Sequence, residues 1–158
     1  MDSRKFTSNG FSLIEVLVSV IIIAVGLLGI AALQSNAIRF NHSAELRSIA
    51  VLQANNMVDR LYANSPGVKA GSYNNLSGIP SSPGCTICSP AEIATIDIHD
   101  WNTTNAALLP SGQGTVVRTG SKFTITVRWD GIRSGATGTA CSGDLDVDLS
   151  CLIVEVQL

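Results

Sequence analysis

Apolar residues are concentrated in one segment near the start of the chain. Between residues 16 and 33 the only polar side chain is Ser19. About 20 consecutive apolar residues are enough to cross a bilayer as a helix. A secretory signal peptide has a shorter apolar region, of roughly 7–15 residues, followed by a small-residue cleavage site. The pattern therefore predicts an apolar helix over residues 11–33 that remains part of the chain.

The charges before this segment predict its orientation. Residues 1–10 are polar and contain Arg4 and Lys5. Basic residues that flank a membrane helix favour the cytoplasmic side. We therefore expect a cytoplasmic N-terminus, with the rest of the chain on the other side of the membrane.

The helical pattern continues beyond the apolar segment. No helix breaker occurs between residue 34 and Ser65-Pro66-Gly67, and apolar positions recur there on one face while charged residues occupy the rest. An amphipathic helix has this pattern. We expect one helix from about residue 11 to 64, whose half at residues 34–65 packs its apolar stripe against the remaining chain. The stripe consists of Leu46, Ile49, Ala50, Met57 and Leu61.

The remaining residues, 66–158, predict a small α+β head. Proline, glycine, serine and asparagine dominate residues 66–89, which predicts a loop. Ser89, Pro90 and Glu92 form the start of a second helix with a capping box, so a short helix is expected from about residue 90 to 109. Its apolar face consists of Ala94, Ile98, Trp101 and Leu108.

Alternating side chains predict an antiparallel sheet after this helix. The strands are expected at residues 115–119, 122–129 and 151–158, with a further short strand near residues 145–149. Gly120-Ser121 indicates a hairpin turn. Short strands joined by tight turns favour a meander with one face on the long helix.

Composition disfavours most enzyme classes. Charged residues make up 14% of the chain, the net charge is −2, and there are only 2 histidines. No phosphate-binding loop, dinucleotide-binding or zinc-protease motif is present. No basic patch with aromatic residues suggests nucleic-acid binding. We expect no enzymatic activity, no cofactor and no nucleic-acid partner.

The four cysteines are expected to form structural disulfides. The predicted orientation places Cys85, Cys88, Cys141 and Cys151 on the oxidising side of the membrane. A zinc site would need a second closely spaced pair, and a redox motif would need a βαβ unit. Three pairings exist. Cys85–Cys88 with Cys141–Cys151 is favoured because both close local loops, and the crossed pairings remain open.

Two acidic clusters are candidate functional sites. Asp97, His99 and Asp100 could bind a metal or act as a general base, but on an amphipathic helix such residues usually form the solvated face. Asp144, Asp146 and Asp148, with Glu155, have spacings similar to those of a calcium loop. Leu149 occupies the position that requires glycine, and the alternation of apolar residues there favours a strand over a calcium site.

Glu15 is the one acidic residue at the start of the apolar segment. An acid at the centre of a membrane helix costs about 2.5–3.5 kcal/mol, and less near the interface. One interpretation is a tolerated interfacial carboxylate. The other is a carboxylate that pairs with a cation.

The junction that contains Glu15 resembles the prepilin cleavage motif of type IV pilins and type II secretion pseudopilins. The residues that carry the resemblance are Gly10-Phe11-Ser12-Leu13-Ile14-Glu15. The resemblance implies that a membrane peptidase cuts between Gly10 and Phe11, removing leader residues 1–10, and that the new amino group of Phe11 is methylated. It also implies that Glu15 pairs with the N-terminal amine of a neighbouring subunit during assembly, which gives the carboxylate its cation. A long N-terminal helix with a C-terminal head is the fold that this family implies.

Two further stretches are similar to PilV-type minor pilins: Gly26-Leu27-Leu28-Gly29-Ile30-Ala31-Ala32-Leu33-Gln34 and residues 55–64. This similarity implies a minor pilin of a type IV pilus that is incorporated near the tip, helps to initiate assembly, and serves twitching motility and cell adhesion. A minor pseudopilin of a type II secretion system is the alternative. A membrane-anchored periplasmic enzyme or binding protein is more remote, because it leaves the Gly10-Phe11 junction unexplained.

The resemblance also implies partners and a location. The partners are the prepilin peptidase, the major pilin and other minor pilins, the inner-membrane assembly platform, a large adhesin at the tip, and membrane lipid before assembly. The protein is expected in the bacterial inner membrane, with a single pass and a periplasmic head, and after assembly in the cell-surface pilus.

Overall fold

The computed structural model describes residues 12–158, in two compact units that meet between Asn41 and His42. Helix α1, Leu13–Ala63, begins in the first unit and ends in the second. The expected helix from about residue 11 to 64 is therefore confirmed within the described residues, and Phe11 lies outside them.

The second unit has the expected α+β class. After α1 its elements are α2 (Ser65–Lys69), β1 (Asn75–Ser77), α3 (Pro90–Leu108), β2 (Gln113–Thr119), β3 (Lys122–Trp129) and β4 (Ser150–Gln157). The four strands form one antiparallel sheet in the order β1-β2-β3-β4. The predicted helix at 90–109 and the predicted meander are both confirmed.

A tight hairpin sets the register of the two central strands. Thr119 pairs with Lys122 across Gly120-Ser121, and Gly120 has φ +65°. A two-residue hairpin loop needs a positive φ, which glycine adopts without steric cost. The β3–β4 ladder then runs without interruption from Lys122 and Gln157 to Trp129 and Ser150.

The core of the second unit lies between α1, α3 and the sheet. From α1 it receives Leu46, Ala50, Ala54, Met57 and Leu61, all at most 4% exposed. Ile49 is only partly buried, and Ala54, which the stripe omitted, is fully buried. The buried face of α1 is therefore one position longer than the predicted stripe.

Helix α3 begins as predicted and is anchored by polar contacts. The Ser89 hydroxyl accepts from the Glu92 N–H at 3.3 Å, while the Glu92 carboxylate accepts from the Ser89 N–H at 2.8 Å. Hydrogen bonds from the Ser89 backbone and hydroxyl lower the pKa of Glu92. Farther along, Trp101 Nε1 donates to the Gln53 carbonyl at 2.8 Å, which joins α3 to α1.

Three details of the head differ from expectation. The predicted loop at 66–89 contains β1 and most of α2, a short helix that Asn64 caps by accepting from the Gly67 N–H at 3.2 Å. The predicted strand at 145–149 was wrong: the Asp144 carbonyl accepts from the Asp148 N–H at 2.8 Å, which makes a turn. Leu108 is 49% exposed, and Leu109 is buried in its place.

Candidate functional site

The first unit presents an apolar helical surface. Every described residue from 12 to 41 is exposed in the chain. An 18-residue window of α1 has a mean hydropathy of 3.0, and none of it is buried. Large exposed apolar patches mark protein or membrane contacts. By length and composition, α1 can therefore cross a membrane or pack among other apolar helices.

Glu15 lies in the first turn of α1. The Glu15 N–H donates to the Ser12 carbonyl at 3.0 Å, and the Val16 N–H donates to the same oxygen at 3.3 Å. A carboxylate in the first helical turn interacts favourably with the helix dipole. Glu15 is the only ionisable residue in the sequence between 13 and 33.

The other polar side chain of this segment is satisfied within the helix. Ser19 Oγ donates to the Val16 carbonyl at 2.8 Å. In an apolar environment Glu15 would still need a cationic or hydrogen-bonding partner. The chemistry of the segment is therefore that of one acid in an apolar surface. The expected cleavage and methylation site, Gly10 and Phe11, lies outside the described residues.

All four cysteines of the chain are paired in the second unit. Cys85 is bonded to Cys88 and Cys141 to Cys151, with Cα–Cα distances of 5.3 and 5.7 Å. These are the two bridges that the sequence favours over the crossed pairings. The first bridge closes the loop just before α3, and the second ties the segment between β3 and β4 to the start of β4.

Asp97 is buried in a polar network, so its placement on a solvated helix face was wrong. Its side chain accepts from Arg60 Nη1 at 2.8 Å and from the hydroxyl of Tyr73. The amide of Asn64 donates to the same hydroxyl at 3.0 Å. Burial, followed by the hydrogen bond to Asp97, raises the pKa of Tyr73, which therefore stays a hydrogen-bond donor.

The other two members of that cluster point elsewhere. His99 Nδ1 lies 2.7 Å from the Pro80 carbonyl oxygen, and Asp100 is exposed. Within residues 12–158, no group of three metal-binding side chains comes together. The three residues thus do not form a joint site in this structure.

The Asp144–Asp148 segment uses its carboxylates to hold its own loop. Asp148 is 5% exposed and accepts from the N–H groups of Ala140 at 3.2 Å and Ser142 at 3.0 Å. Asp144 accepts from the Asp146 N–H at 3.2 Å. Glu155 is bonded to Lys122 Nζ at 2.8 Å. Asp144 and Asp148 thus bind backbone N–H groups of their own loop, and Glu155 pairs with a lysine on β3.

Comparison with known families places the functional signal in the N-terminal segment. Residues 5–31 match the family described as the prokaryotic N-terminal methylation motif. The match covers a short N-terminal part of the chain and supports a prepilin motif like that of type IV pilins or pseudopilins, which a prepilin peptidase processes. Together with the apolar helix, it fits a protein anchored in the inner membrane. No curated protein and no solved structure matches the chain.

Proposed function

We propose that this protein is a minor pilin of a type IV pilus. It is inserted in the inner membrane as a prepilin, processed between Gly10 and Phe11, and incorporated near the tip to help initiate assembly. The observation that carries the proposal is the methylation motif at residues 5–31, joined to a helix whose apolar surface is exposed along the first unit.

The carboxylate of Glu15 makes the pairing contact between subunits during assembly. Before assembly, the carboxylate stays near the membrane interface, where its solvation cost is modest. On docking it is drawn among apolar helices, where an acid is stable only beside a cation. The amino group that cleavage creates at Phe11 of a neighbouring subunit is such a cation. Assembly is thereby restricted to processed subunits.

The choice of a type IV pilus rests on residues 26–34 and 55–64, which resemble PilV-type minor pilins. A minor pseudopilin of a type II secretion system is the second candidate, because the methylation motif at residues 5–31 suits it equally. The gene neighbourhood separates the two: pilus-assembly genes favour the first, and secretion genes the second.

The proposed topology has a cytoplasmic N-terminus, one membrane pass and a periplasmic head. The proposed partners, besides the peptidase, are the major pilin, other minor pilins, the assembly platform and a large tip adhesin. After assembly the protein lies in the surface pilus and serves motility and adhesion.

A substitution at Glu15 tests the proposal in a strain that lacks the native copy. Glu15→Leu should insert, be cleaved and keep its disulfides, yet be depleted from sheared pili, because the pairing carboxylate is lost. Glu15→Asp shortens the side chain by one methylene and should give an intermediate amount. Membrane and sheared-surface fractions are compared by immunoblot, with pili counted by electron microscopy.

Glu45→Leu is the matched control. Glu45 is an exposed acid on the same helix, outside the apolar segment, so its removal should leave the pilus fraction unchanged. Normal amounts of Glu15→Leu in the pilus fraction would contradict the assembly role. Normal pilus number in the complete absence of the protein would contradict the role in initiation.

A further inference from the structure

A cavity of about 270 Å³ lies between α1 and the segment that joins β3 to β4. Its lining residues on α1 are Ser43 and Arg47, and the opposite side includes the Cys141–Cys151 disulfide. All the lining residues belong to the second unit, which begins at His42. Small ligands bind in concave sites where a few polar groups converge. The chemistry of the lining therefore indicates what this cavity holds.

Arg47 is the one cationic side chain that lines the cavity among the described residues. It takes part in none of the ion pairs of residues 12–158. The acids nearest in sequence to the opposite wall, Asp144 and Asp146, are exposed and do not line the cavity. A guanidinium group carries a permanent positive charge and five N–H donors. Without a counter-ion of its own, it favours an anion in this cavity.

Trp129 supplies a second donor. Its side chain belongs to the core and is 5% exposed, yet its Nε1–H has no acceptor among residues 12–158. Asn105 Oδ1 is the only buried side-chain polar atom in that range without a partner, so the Trp129 N–H is open to solvent. Because Trp129 lines the cavity, the N–H reaches solvent there. A ligand that brings an acceptor would satisfy this donor.

Ser150 places a hydroxyl beside the same N–H. Trp129 and Ser150 are paired in the β3–β4 ladder. A Cβ placed on Gly131 would lie 3.2 Å from Trp129 Nε1 and 2.7 Å from Ser150 Oγ, so both polar atoms border one point. The Ser43 hydroxyl lines the cavity from α1. Two hydroxyls, an indole N–H and a guanidinium group are all able to donate hydrogen bonds.

The remaining wall is apolar and held in place. Leu145 and Leu149 line the cavity, and Leu149 is 2% exposed. The disulfide ties this wall to β4, and Asp148 holds the loop through the N–H groups of Ala140 and Ser142. A wall that is fixed before binding reduces the entropy lost when a ligand enters. The two leucines favour an aliphatic group next to the charged end of the ligand.

We propose that this cavity binds a carboxylate group on a short aliphatic stem. Arg47 pairs with the carboxylate, and the indole N–H of Trp129 donates to it. The hydroxyls of Ser43 and Ser150 provide further donors, and the stem packs on the leucines. One guanidinium group matches one negative charge, whereas sulfate would bring a second charge without a cation to balance it. A free short-chain acid and a glutamate side chain of another protein share this chemistry.

NMR titration of the isotope-labelled full chain in an uncharged detergent tests the proposal, with butyrate as the probe. The indole N–H resonance of Trp129, identified by its loss in Trp129→Phe, should shift saturably. The indole N–H of Trp101 is the internal reference, because its Nε1 already donates to the Gln53 carbonyl at 2.8 Å, and its resonance should stay in place.

Arg47→Gln removes the cation and should weaken butyrate binding by about tenfold or more, because charge-assisted hydrogen bonds are lost. Arg47 is exposed, and an unchanged Trp101 resonance shows that the variant is folded. Arg39→Gln is the matched control: Arg39 is an exposed arginine on the same helix that does not line the cavity, so butyrate should bind as in the wild type.

Two further ligands identify the source of the carboxylate. N-acetylglutamate amide presents the side chain of a glutamate residue, and N-acetylglutamine amide is its uncharged control. Tighter binding of the glutamate compound than of butyrate assigns the site to an acidic side chain of another protein, and equal or weaker binding assigns it to a free acid. The proposal is overturned if neither carboxylate shifts the Trp129 resonance saturably, or if chloride at the same ionic strength gives the same shift. Tighter binding of sulfate, equal binding of the glutamine compound, or undiminished binding in Arg47→Gln would also overturn it.

Discussion

Arg60 on α1 and Asp97 on α3 form an ion pair, with Nη1 and Oδ1 2.8 Å apart, between residues 37 positions apart in the sequence. The Asp97 side chain is 12% exposed and that of Arg60 is 29% exposed. Because the Tyr73 hydroxyl donates to the second oxygen of Asp97, the carboxylate joins α1, α3 and the segment before β1.

Removal of this carboxylate should destabilise the second unit. Asp97→Ala leaves the buried Tyr73 hydroxyl without its acceptor and Arg60 without its counter-ion, so we expect a loss of about 2–3 kcal/mol in the free energy of unfolding. Denaturant unfolding of the full chain in detergent, followed by tryptophan fluorescence, measures it. Asp100→Ala, an exposed acid on the same helix, should change stability by less than about 0.5 kcal/mol.

The wrong prediction for Asp97 shows that the spacing of polar and apolar residues along a helix does not tell which acids are buried. The pattern predicted α3 and its capping box, since both depend on neighbours in sequence. Whether an acid on that helix is solvated or buried depends on Arg60 and Tyr73, which only the tertiary fold brings near. Likewise, Asn102 accepts from the Gly114 N–H at 2.6 Å, and no local pattern indicates this contact.

Asp148 should make stability depend on pH. Hydrogen bonds from the hydroxyl and backbone N–H of Ser142, and then from the Ala140 N–H, lower its pKa below the ordinary value of 3.8. A lowered folded-state pKa stabilises the fold above the ordinary value, and this contribution is lost as the pH falls through the folded-state value. Asp148→Asn should therefore be less stable than wild type at pH 7, with a smaller difference at pH 3.

The matched control for this prediction is Asp146→Asn. Asp146 is exposed, and its carboxylate holds no backbone group in the described residues, so its replacement should leave the curve of stability against pH nearly parallel to that of wild type. A deficit of Asp148→Asn that stays constant from pH 7 to pH 3 would mean that the charge of Asp148 is not what stabilises the loop.

The two disulfides should differ in their contribution to stability. Cys141 and Cys151 are 10 residues apart, whereas Cys85 and Cys88 are 3 apart. In the chain-entropy model a loop of about ten residues contributes about 2–3 kcal/mol, and a shorter loop contributes less. Replacing Cys141 and Cys151 by alanine should lower the midpoint of unfolding more than replacing Cys85 and Cys88. Non-reducing peptide mapping should find both local bridges; a peptide that joins Cys88 to Cys141 would contradict this pairing.

More of the proposed assembly site than of the head could be predicted from the sequence. The apolar segment, its single acid and the Gly10-Phe11 junction are all local features, readable without a fold. The acidic triplet at Asp144, Asp146 and Asp148 was harder, because alternation suggested a strand. The structure makes a turn there instead, since the Asp148 carboxylate binds the backbone at Ala140 and Ser142.

Processing should occur between Gly10 and Phe11. This junction comes before α1, which begins at Leu13, in the sequence, and in the proposed topology Arg4 and Lys5 keep it on the cytoplasmic side. Intact-mass spectrometry of membranes or sheared pili should find a chain that starts at Phe11 and carries one N-terminal methyl group. Gly10→Leu should accumulate as the uncleaved precursor, because a bulky side chain then occupies the position before the cut. Gly26→Leu, the same replacement within the apolar segment, should be cleaved normally, since nothing lies within 4 Å of its added Cβ. A mature chain that retains residues 1–10, or equal cleavage of Gly10→Leu and wild type, would contradict this processing site.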